Sequence, residues 1–358
     1  MFTLHVLLPQ LLKPMKACTF QNLTKITLIF MVVVSWTISS VTFAADYATV
    51  LMYHRFGESK YPSTNIRIEQ FEAHLNVLGN GDYTVWPLGK IVNHLQQNLD
   101  LPDKTVAITI DDAYLSVFTE ARPRLKAYDF PYTVFVATQP VDRGQKGYMS
   151  WDQIRTLQDE GVQIGSQTRS HPHMHEISIN DAKDELKISN DRFLEEIGQR
   201  PKLFAYPYGE YNLDIIELVK QAGFDSAFGQ NSGIAHAYNG FFELPRFAMN
   251  ERYGTIDRLQ LAIDGLPLKV DQIVPEDVVL DDSNNPPNYG FTLASDIAND
   301  RQLRCFNSTY GKLEVNILGP RAEIRLPGPF AKGRARINCT MPGGDGRWRW
   351  FGRQFLIP

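Results

Sequence analysis

Short apolar runs alternate with amphipathic segments along residues 47–268, and this alternation predicts repeated β–α units. The runs that read as strands are ATVLMYH, TVAITID, YTVFVAT, VQIGSQT and PKLFAYP. The segments with helical periodicity are SVFTEARPRLKAYD, SWDQIRTLQDEG, INDAKDELKISNDRFLEEIG and NLDIIELVKQAG. Polar clusters follow several of the strands, so we expect a functional site at the carboxyl edge of a parallel sheet.

Residues that start and stop helices support these assignments. Ser150 and Asn180 stand in cap-like positions at the start of two predicted helices. Gly161, Gly198 and Gly223 stand where three of the helices should end.

The pattern changes after Val270. Residues 269–290 are rich in Pro, Asp and Asn, a composition typical of a linker. Residues 291–358 carry short alternating segments broken by Gly and Pro, which predict a small all-β domain of the sandwich type. Cys305 and Cys339 form an even pair in this domain, and a disulfide is the expected state if the chain is exported. A zinc pair is the alternative, but no CxxC motif supports it.

Residues 1–44 read as a secretory signal peptide. Lysines precede the apolar run ITLIFMVVVSWTISSVTFA, and the small residues Thr42 and Ala44 predict cleavage after Ala44. Met15 is an alternative start that gives a signal of conventional length. An uncleaved anchor is the competing interpretation, since the run is nearly long enough to span a bilayer. We expect an exported protein, periplasmic or secreted, with no stable membrane span after cleavage.

Composition narrows the classes of partner. The 358 residues are 43% hydrophobic, enough for a large core and two domains. The formal net charge is −4, and no block of Lys and Arg is present. We therefore do not expect a nucleic-acid-binding protein, because such proteins need a basic face for the phosphates.

Two adjacent carboxylates follow one predicted strand. In VAITIDDAY, Asp111 and Asp112 stand where the strand ends, so both can reach one cavity, one on a metal ion and the other free to take a proton. The alternative is that one of them caps the helix that begins near Leu115.

The stretch GSQTRSHPHMHE follows another predicted strand and contains His171, His173 and His175. His171 lies four residues from both Gln167 and His175, and imidazoles near a carboxylate suit zinc or a similar divalent ion. A polar surface loop rich in His is the alternative.

The segment FAYPYGEYN follows a third strand. Its turn leaves the backbone N–H of Tyr208 available as a donor to an oxyanion. We expect Tyr206, Pro207 and Tyr208 to contact a sugar substrate. A tight turn packed by aromatic rings is an equally good interpretation of this segment alone.

Taken in order, these segments resemble the polysaccharide deacetylase family, the NodB-homology carbohydrate esterases. ITIDDAY is similar to the family's first motif, TFDDG; SQTRSHPH to the second, HSxxH with a following Pro; and FAYPYG to the third, RxPYG. MYHRF and MSWDQIRTLQDEGVQIGSQT also resemble exported members that act on cell-surface glycans. The resemblance covers residues 47–268, and we assign the deacetylase-like domain to residues 45–268.

The resemblance implies a distorted (β/α) barrel of the NodB-homology type. It also implies an enzyme that removes N-acetyl or O-acetyl groups from an exported or cell-surface polysaccharide, with one divalent metal ion, zinc in our interpretation. Carried over by position, Asp111 is the general base, and Asp112 and His171 are metal ligands. The metal and the backbone of Tyr208 stabilise the oxyanion.

The sequence departs from the family pattern at four points. Gln167 replaces the first His of the second motif with a neutral amide, a poorer ligand for zinc. Ala113 stands in place of a Gly, and Ala205 in place of an Arg that orients the catalytic Asp. No clear LxH motif supplies the general acid, for which His54 and His236 are the substitutes.

These departures leave two main hypotheses. The first is a metal-dependent deacetylase whose weakly bound ion is held by Asp112, His171 and either Gln167 or His175, with His173 pointing away. The second is a catalytically impaired carbohydrate-binding protein on the same fold. A hydrolase of another acyl or amide bond stays open as a third.

Overall fold

The computed structural model describes residues 44–238, 240–297 and 300–358. These residues belong to one compact unit. The signal predicted at residues 1–44 lies outside the described residues except for Ala44. In the described ranges, no helix is both long enough and apolar enough to cross a membrane.

An α/β region comes first in the described chain. Its strands are β1 Ala44–Ala45, β2 Tyr47–Tyr53, β3 Arg55–Phe56, β4 Asn65–Ile66, β5 Thr84–Val85, β6 Leu101–Pro102, β7 Thr105–Asp111, β8 Tyr132–Val136, β9 Gln163–Ser166, β10 Leu203–Ala205, β11 Ser226–Phe228, β12 Ala235–His236, β13 Phe247–Ala248 and β14 Leu266–Pro267. Its α-helices are α1 Ile68–Asn80, α2 Leu88–Gln96, α3 Arg122–Ala127, α4 Thr138–Asp142, α5 Trp151–Asp159, α6 Ile179–Ile197, α7 Leu213–Gln221 and α8 Ile256–Ile263. A π-helical turn, Val117–Ala121, precedes α3, and 3₁₀ turns lie at Met174–Glu176 and Pro207–Gly209.

A curled, largely parallel sheet organises this region. Parallel strands run in the order β11-β10-β9-β8-β7-β2, and β12 pairs antiparallel with β2. Strands β5 and β13 add in parallel to β7 and β2. All seven residues of β7 are buried, as expected for a central strand of a parallel sheet. The predicted distorted barrel is confirmed, and the three motifs follow the carboxyl ends of β7, β9 and β10.

Four of the five residues predicted to start or stop helices are confirmed. The hydroxyl of Ser150 accepts a hydrogen bond from the backbone N–H of Gln153, at 3.3 Å. Glycines 161, 198 and 223 all have positive φ just beyond their helices, where glycine is favoured. Asn180 as a cap was wrong, because Ser178, two residues earlier, accepts the bond from Asp181 N–H at 3.1 Å.

An all-β region follows, as predicted. Its strands are β15 Val270–Val274, β16 Tyr289–Leu293, β17 Arg304–Asn307, β18 Gly311–Lys312, β19 Glu314–Leu318, β20 Arg321–Arg325, β21 Gly333–Pro342 and β22 Trp348–Ile357, with a 3₁₀ turn at Asp300–Gln302. They form two sheets, ordered β14-β22-β21-β17-β18 and β15-β16-β20-β19. Cys305 and Cys339 pair in register across β17 and β21 and form a disulfide, as expected.

The stretch with linker composition is packed against this region. Residues 269–290 contain β15, and Val278 and Leu280 are buried in the core that the two sheets share. The backbone N–H of Leu280 donates to the carbonyl of Leu356 in β22 at 2.8 Å, and the N–H of Leu356 donates to the carbonyl of Val278 at 2.9 Å.

The all-β region also contacts the α/β region beside the motifs. Strand β22 pairs in parallel with β14. The side-chain amide of Gln354 donates to the carbonyl of Gly209 at 3.1 Å, and Arg334 donates to the carbonyl of Tyr208 at 3.2 Å. The turn of the third motif is therefore held from the C-terminal region.

Candidate functional site

A cleft of about 820 Å³ lies at the carboxyl edge of the sheet. Its lining includes His54, Asp112, His171 and Tyr208 from the α/β region, and Arg334 and Arg336 from the all-β region. This size is typical of pockets that enclose a small-molecule ligand.

Asp111 ends β7 and is fully buried beside the cleft. Its two carboxylate oxygens accept hydrogen bonds from the guanidinium of Arg246, at 2.7 and 2.9 Å. Arg246 is also fully buried, and it donates further to the carbonyl of Gly229 and the hydroxyl of Thr109, at 3.0 and 3.3 Å. The pair fixes the orientation of the carboxylate that the sequence assigned as the general base.

The sequence reasoning missed Arg246. It expected an Arg at the third motif, where Ala205 stands, and Arg246 supplies a guanidinium from 41 positions further along the chain. A basic residue inside the apolar segment FFELPRFAMN was the signal that could have found it, because an Arg in such a setting is rarely buried without a partner.

The two candidate general acids lie in different places. The Nε2 atom of His54 lies 3.9 Å from the Oδ2 of Asp111, and His54 lines the cleft. His236 is buried in β12, does not line the cleft, and burial lowers its pKa to about 4. The structure therefore favours His54 over His236.

The ends of the three motif strands have strained backbones. Asp112, Ala113, Thr168, His171 and Tyr208 all have φ between 51° and 73°, in the left-handed region. Non-glycine residues rarely adopt this conformation, and such residues cluster at functional sites. The strain explains why a Gly suits the position of Ala113.

Asp112 and His171, the two expected metal ligands, lie beside each other in the cleft. The Oδ1 of Asp112 lies 3.4 Å from the Nε2 of His171. The ring of His171 packs edge-on against Tyr208, with the ring centroids 4.5 Å apart. The hydroxyl of Thr168 accepts the backbone N–H of His171 at 3.0 Å, which holds the loop in its tight conformation.

Gln167 does not complete a metal site. Its side chain is fully buried, and its carbonyl oxygen accepts the backbone N–H of Asp112 at 3.2 Å. Its NH₂ group is buried without a hydrogen-bond partner. Rotating the amide by 180° would set the NH₂ group against the N–H of Asp112, two donors facing each other, so the observed orientation is the favourable one. The carbonyl oxygen is then already engaged, and the NH₂ group is a donor, which cannot bind a cation.

The neighbouring histidines do not replace the missing ligand. The Nδ1 of His173 lies 2.6 Å from the Oε2 of Glu210, and its ring stacks on Tyr208 at 4.0 Å. His175 is buried beside Glu210, with 3.4 Å between Nδ1 and Oε2, and burial lowers the pKa of His175. Neither His173 nor His175 lines the cleft that holds Asp112 and His171, so the structure gives no support for His175 as the alternative ligand.

The side chains at this site decide whether a metal ion can bind tightly. Catalytic zinc sites use three protein ligands, and Asp112 and His171 supply two. In the described part of the chain, no group of three His, Cys, Asp or Glu side chains is arranged to hold an ion. The residues present do not fit a tightly bound metal ion.

Of the three residues of the third-motif turn that we expected to contact a sugar, one lines the cleft. Tyr208 lines the cleft, and burial, with the charges of Asp112 and Glu210, raises its pKa. Tyr206 and Pro207 are buried and do not line the cleft, and the hydroxyl of Tyr206 donates to the carbonyl of Phe242 at 2.9 Å. The expected sugar contacts of Tyr206 and Pro207 are corrected, because the tight turn exposes Tyr208 alone of the three.

Residues 98–227, which contain all three motifs, match the sequence profile of polysaccharide deacetylases. This region of the chain belongs to the polysaccharide deacetylase family. This family acts on amide bonds and is typically metal-dependent.

Curated relatives of this family cover a little over half of the chain. YxkH of Bacillus subtilis (strain 168) is 25% identical over 197 residues, which are 55% of this chain and 69% of YxkH. The poly-β-1,6-N-acetyl-D-glucosamine N-deacetylase of Staphylococcus aureus (strain MRSA252) is 23% identical over 221 residues, which are 58% of this chain and 75% of that enzyme.

Solved structures support the polysaccharide deacetylase fold. The deacetylase PplD of Streptococcus pyogenes, in complex with acetate, superposes with a TM-score of 0.57 and 23% identity, covering 61% of this chain and 98% of PplD. A de-N-acetylase of Aggregatibacter actinomycetemcomitans superposes with a TM-score of 0.55 and 21% identity, covering 60% and 99%.

Proposed function

We propose that this polysaccharide deacetylase family member binds an N-acetylated polysaccharide in its cleft and hydrolyses it weakly or not at all. The observation that carries the proposal is the side chain of Gln167. Its carbonyl oxygen accepts the backbone N–H of Asp112 and its NH₂ group is buried without a partner, so among the described residues no third ligand joins Asp112 and His171.

The cleft walls support glycan binding. Tyr114, Tyr148 and Tyr208 line the cleft together with polar side chains, a combination that suits the apolar face and the hydroxyl groups of a sugar. Burial raises the pKa of Tyr148 and of Tyr208, so both phenols stay neutral near pH 7 and can donate hydrogen bonds. We further propose an exported location, on the basis of the signal-like residues 1–44.

An active deacetylase, for N-acetyl or O-acetyl groups, is the second candidate. The buried pair of Asp111 and Arg246 favours it, because a protein selected only for binding has no need of an oriented carboxylate beside His54. The Staphylococcus aureus relative, named as an N-deacetylase, supports the same candidate.

Binding and acetate release, measured on the same oligosaccharide, separate the two candidates. We expect chitohexaose, a neutral N-acetylglucosamine hexamer, to bind in a calorimetric titration and to release acetate slowly in the presence of zinc. Gln167→His should raise acetate release at least about tenfold, because a second imidazole joins Asp112 and His171.

The matched control is Gln221→His, the same substitution on the exposed surface of α7. It should change neither binding nor acetate release. Fast acetate release by the unsubstituted protein, with no gain in Gln167→His, would overturn the proposal in favour of the second candidate. No binding of chitohexaose or of any N-acetylated glycan would overturn both.

A further inference from the structure

One face of β21 forms a wall of the cleft. Along Gly333–Pro342 the side chains alternate between two environments, as in any strand. Those that enter the core of the all-β region are Ala335, Ile337, Cys339 and Met341. Those that line the cleft are Arg334, Arg336 and Asn338. All of these residues lie outside the part of the chain that matches the family profile.

Arg336 has no anionic partner at the cleft. Its Nε atom is buried without a hydrogen bond, and among the described residues no carboxylate oxygen lies within 4.0 Å of its guanidinium. Burial and the neighbouring charge of Arg334 lower the pKa of Arg336. A partly desolvated charge without a partner is unfavourable, so an anion at this position would be strongly stabilised.

Arg258 faces the same cleft from α8. Its guanidinium lies 5.1 Å from the ring centroid of Phe247 and 5.2 Å from that of Trp350. These rings hold the guanidinium in place, but they carry no charge that neutralises it. Burial lowers the pKa of Arg258 as well.

The carboxylates near the cleft do not neutralise the positive charge of these arginines. Arg334 lies 3.5 Å from Glu210, so it is partly neutralised. Among the described residues that line the cleft, Asp112 is the one carboxylate. Asn338 adds an unpaired acceptor, since its Oδ1 is buried without a hydrogen bond. The wall therefore offers cationic donors for an anion, beside an acceptor for a hydroxyl group.

We propose that Arg258, Arg334, Arg336 and Asn338 form a subsite for an anionic substituent of the bound glycan, a carboxylate or a phosphate- or sulfate-type ester. The guanidinium groups bind the anion, and the carbonyl of Asn338 accepts a hydrogen bond from a neighbouring sugar hydroxyl. This inference rests on the proposed glycan-binding function and adds the substrate class, an acidic polysaccharide.

Three hexasaccharides test the inference in calorimetric titrations. They are neutral chitohexaose, a hyaluronan hexasaccharide that alternates N-acetylglucosamine with a carboxylate-bearing sugar, and 6-O-sulfated chitohexaose. We expect one or both of the anionic sugars to bind at least about tenfold tighter than the neutral one, with a preference that falls as salt is raised. The carboxylate and sulfate arms distinguish the two kinds of anion.

Variants locate the preference on the wall. Arg336→Gln and Arg258→Gln should each reduce the preference, measured as the ratio of the affinities for the anionic and the neutral hexasaccharide. Arg325→Gln, the same substitution at an exposed end of β20, is the matched control and should leave the preference intact. Thermal unfolding of each variant verifies folding, and the salt dependence of the unsubstituted protein gives a readout that needs no variant.

Failure of this inference is distinct from failure of the proposed function. Equal affinity for all three hexasaccharides would overturn the anionic subsite and leave glycan binding standing. A preference that survives in both Arg336→Gln and Arg258→Gln would overturn the assignment to this wall. Absence of binding to all three would overturn the subsite and the glycan-binding proposal together.

Discussion

Replacement of Arg246 by Met should destabilise the fold more than any exposed Arg substitution. Arg246 and Asp111 are both fully buried, and two hydrogen bonds of 2.7 and 2.9 Å join them. Removing the cation leaves a buried carboxylate without its partner, which typically costs about 3 to 5 kcal/mol. Met fills much of the volume of the Arg side chain, so the decrease in the free energy of unfolding reflects mainly the broken charge pair.

The assay is urea unfolding followed by tryptophan fluorescence and circular dichroism. Arg200→Met is the matched control, because Arg200 meets Asp191 at the same distance, 2.7 Å, but on the exposed surface. Its loss should stay below about 1 kcal/mol. The double variant Arg246→Met/Asp111→Asn should recover part of the lost free energy of unfolding, with a coupling free energy between the two sites of about 2 kcal/mol.

Equal losses for Arg246→Met and Arg200→Met would refute this reasoning. So would strict additivity of Arg246→Met and Asp111→Asn, because the two side chains would then not act as a pair.

Two further predictions concern pH and the disulfide. Burial lowers the pKa of His74 from 6.5 to about 4. Because the unfolded chain then binds the proton more readily than the folded chain, stability that is present above pH 6.5 is lost as the pH falls towards 4. His74 should contribute about 2.5 kcal/mol to the fall in the free energy of unfolding between pH 7.5 and 4.5, and an equal pH slope in His74→Gln would contradict this. Cys305 and Cys339 close a loop with a sequence separation of 34, so the double substitution to Ala should cost about 3 to 4 kcal/mol. Two free thiols in the unfolded, unreduced protein would contradict the disulfide.

The features that follow a local pattern could be predicted from the sequence. Strands β7, β9 and β10 are apolar runs that end in polar clusters, and parallel strands bring those ends to one edge of the sheet. Asp112 and His171 therefore meet as expected. The disulfide followed from the pair of cysteines in the all-β region.

The features that depend on distant parts of the chain could not be predicted in this way. Arg246 and Asp111 are 135 positions apart, and no periodicity links them. The burial of Tyr206 beside a half-buried Tyr208 is set by the positive φ of Tyr208 within a tight turn, which the residue types alone do not specify.

The cleft wall on β21 depends on the same kind of distant contact. Alternation of polar and apolar residues predicts a strand with two faces, but it does not say what the polar face meets. That face lines the cleft because the all-β region packs beside the third-motif turn, through contacts such as that of Gln354 with Gly209.

Zinc stoichiometry after dialysis tests the role of Gln167 most directly. The unsubstituted protein should retain well below one zinc ion per chain, because the carbonyl oxygen of Gln167 already accepts the backbone N–H of Asp112 and its NH₂ group is a donor, which cannot bind a cation. Gln167→His should retain close to one ion per chain, while Gln221→His should behave like the unsubstituted protein. One zinc ion per chain that survives dialysis in the unsubstituted protein would contradict the impaired metal site on which the proposed function rests.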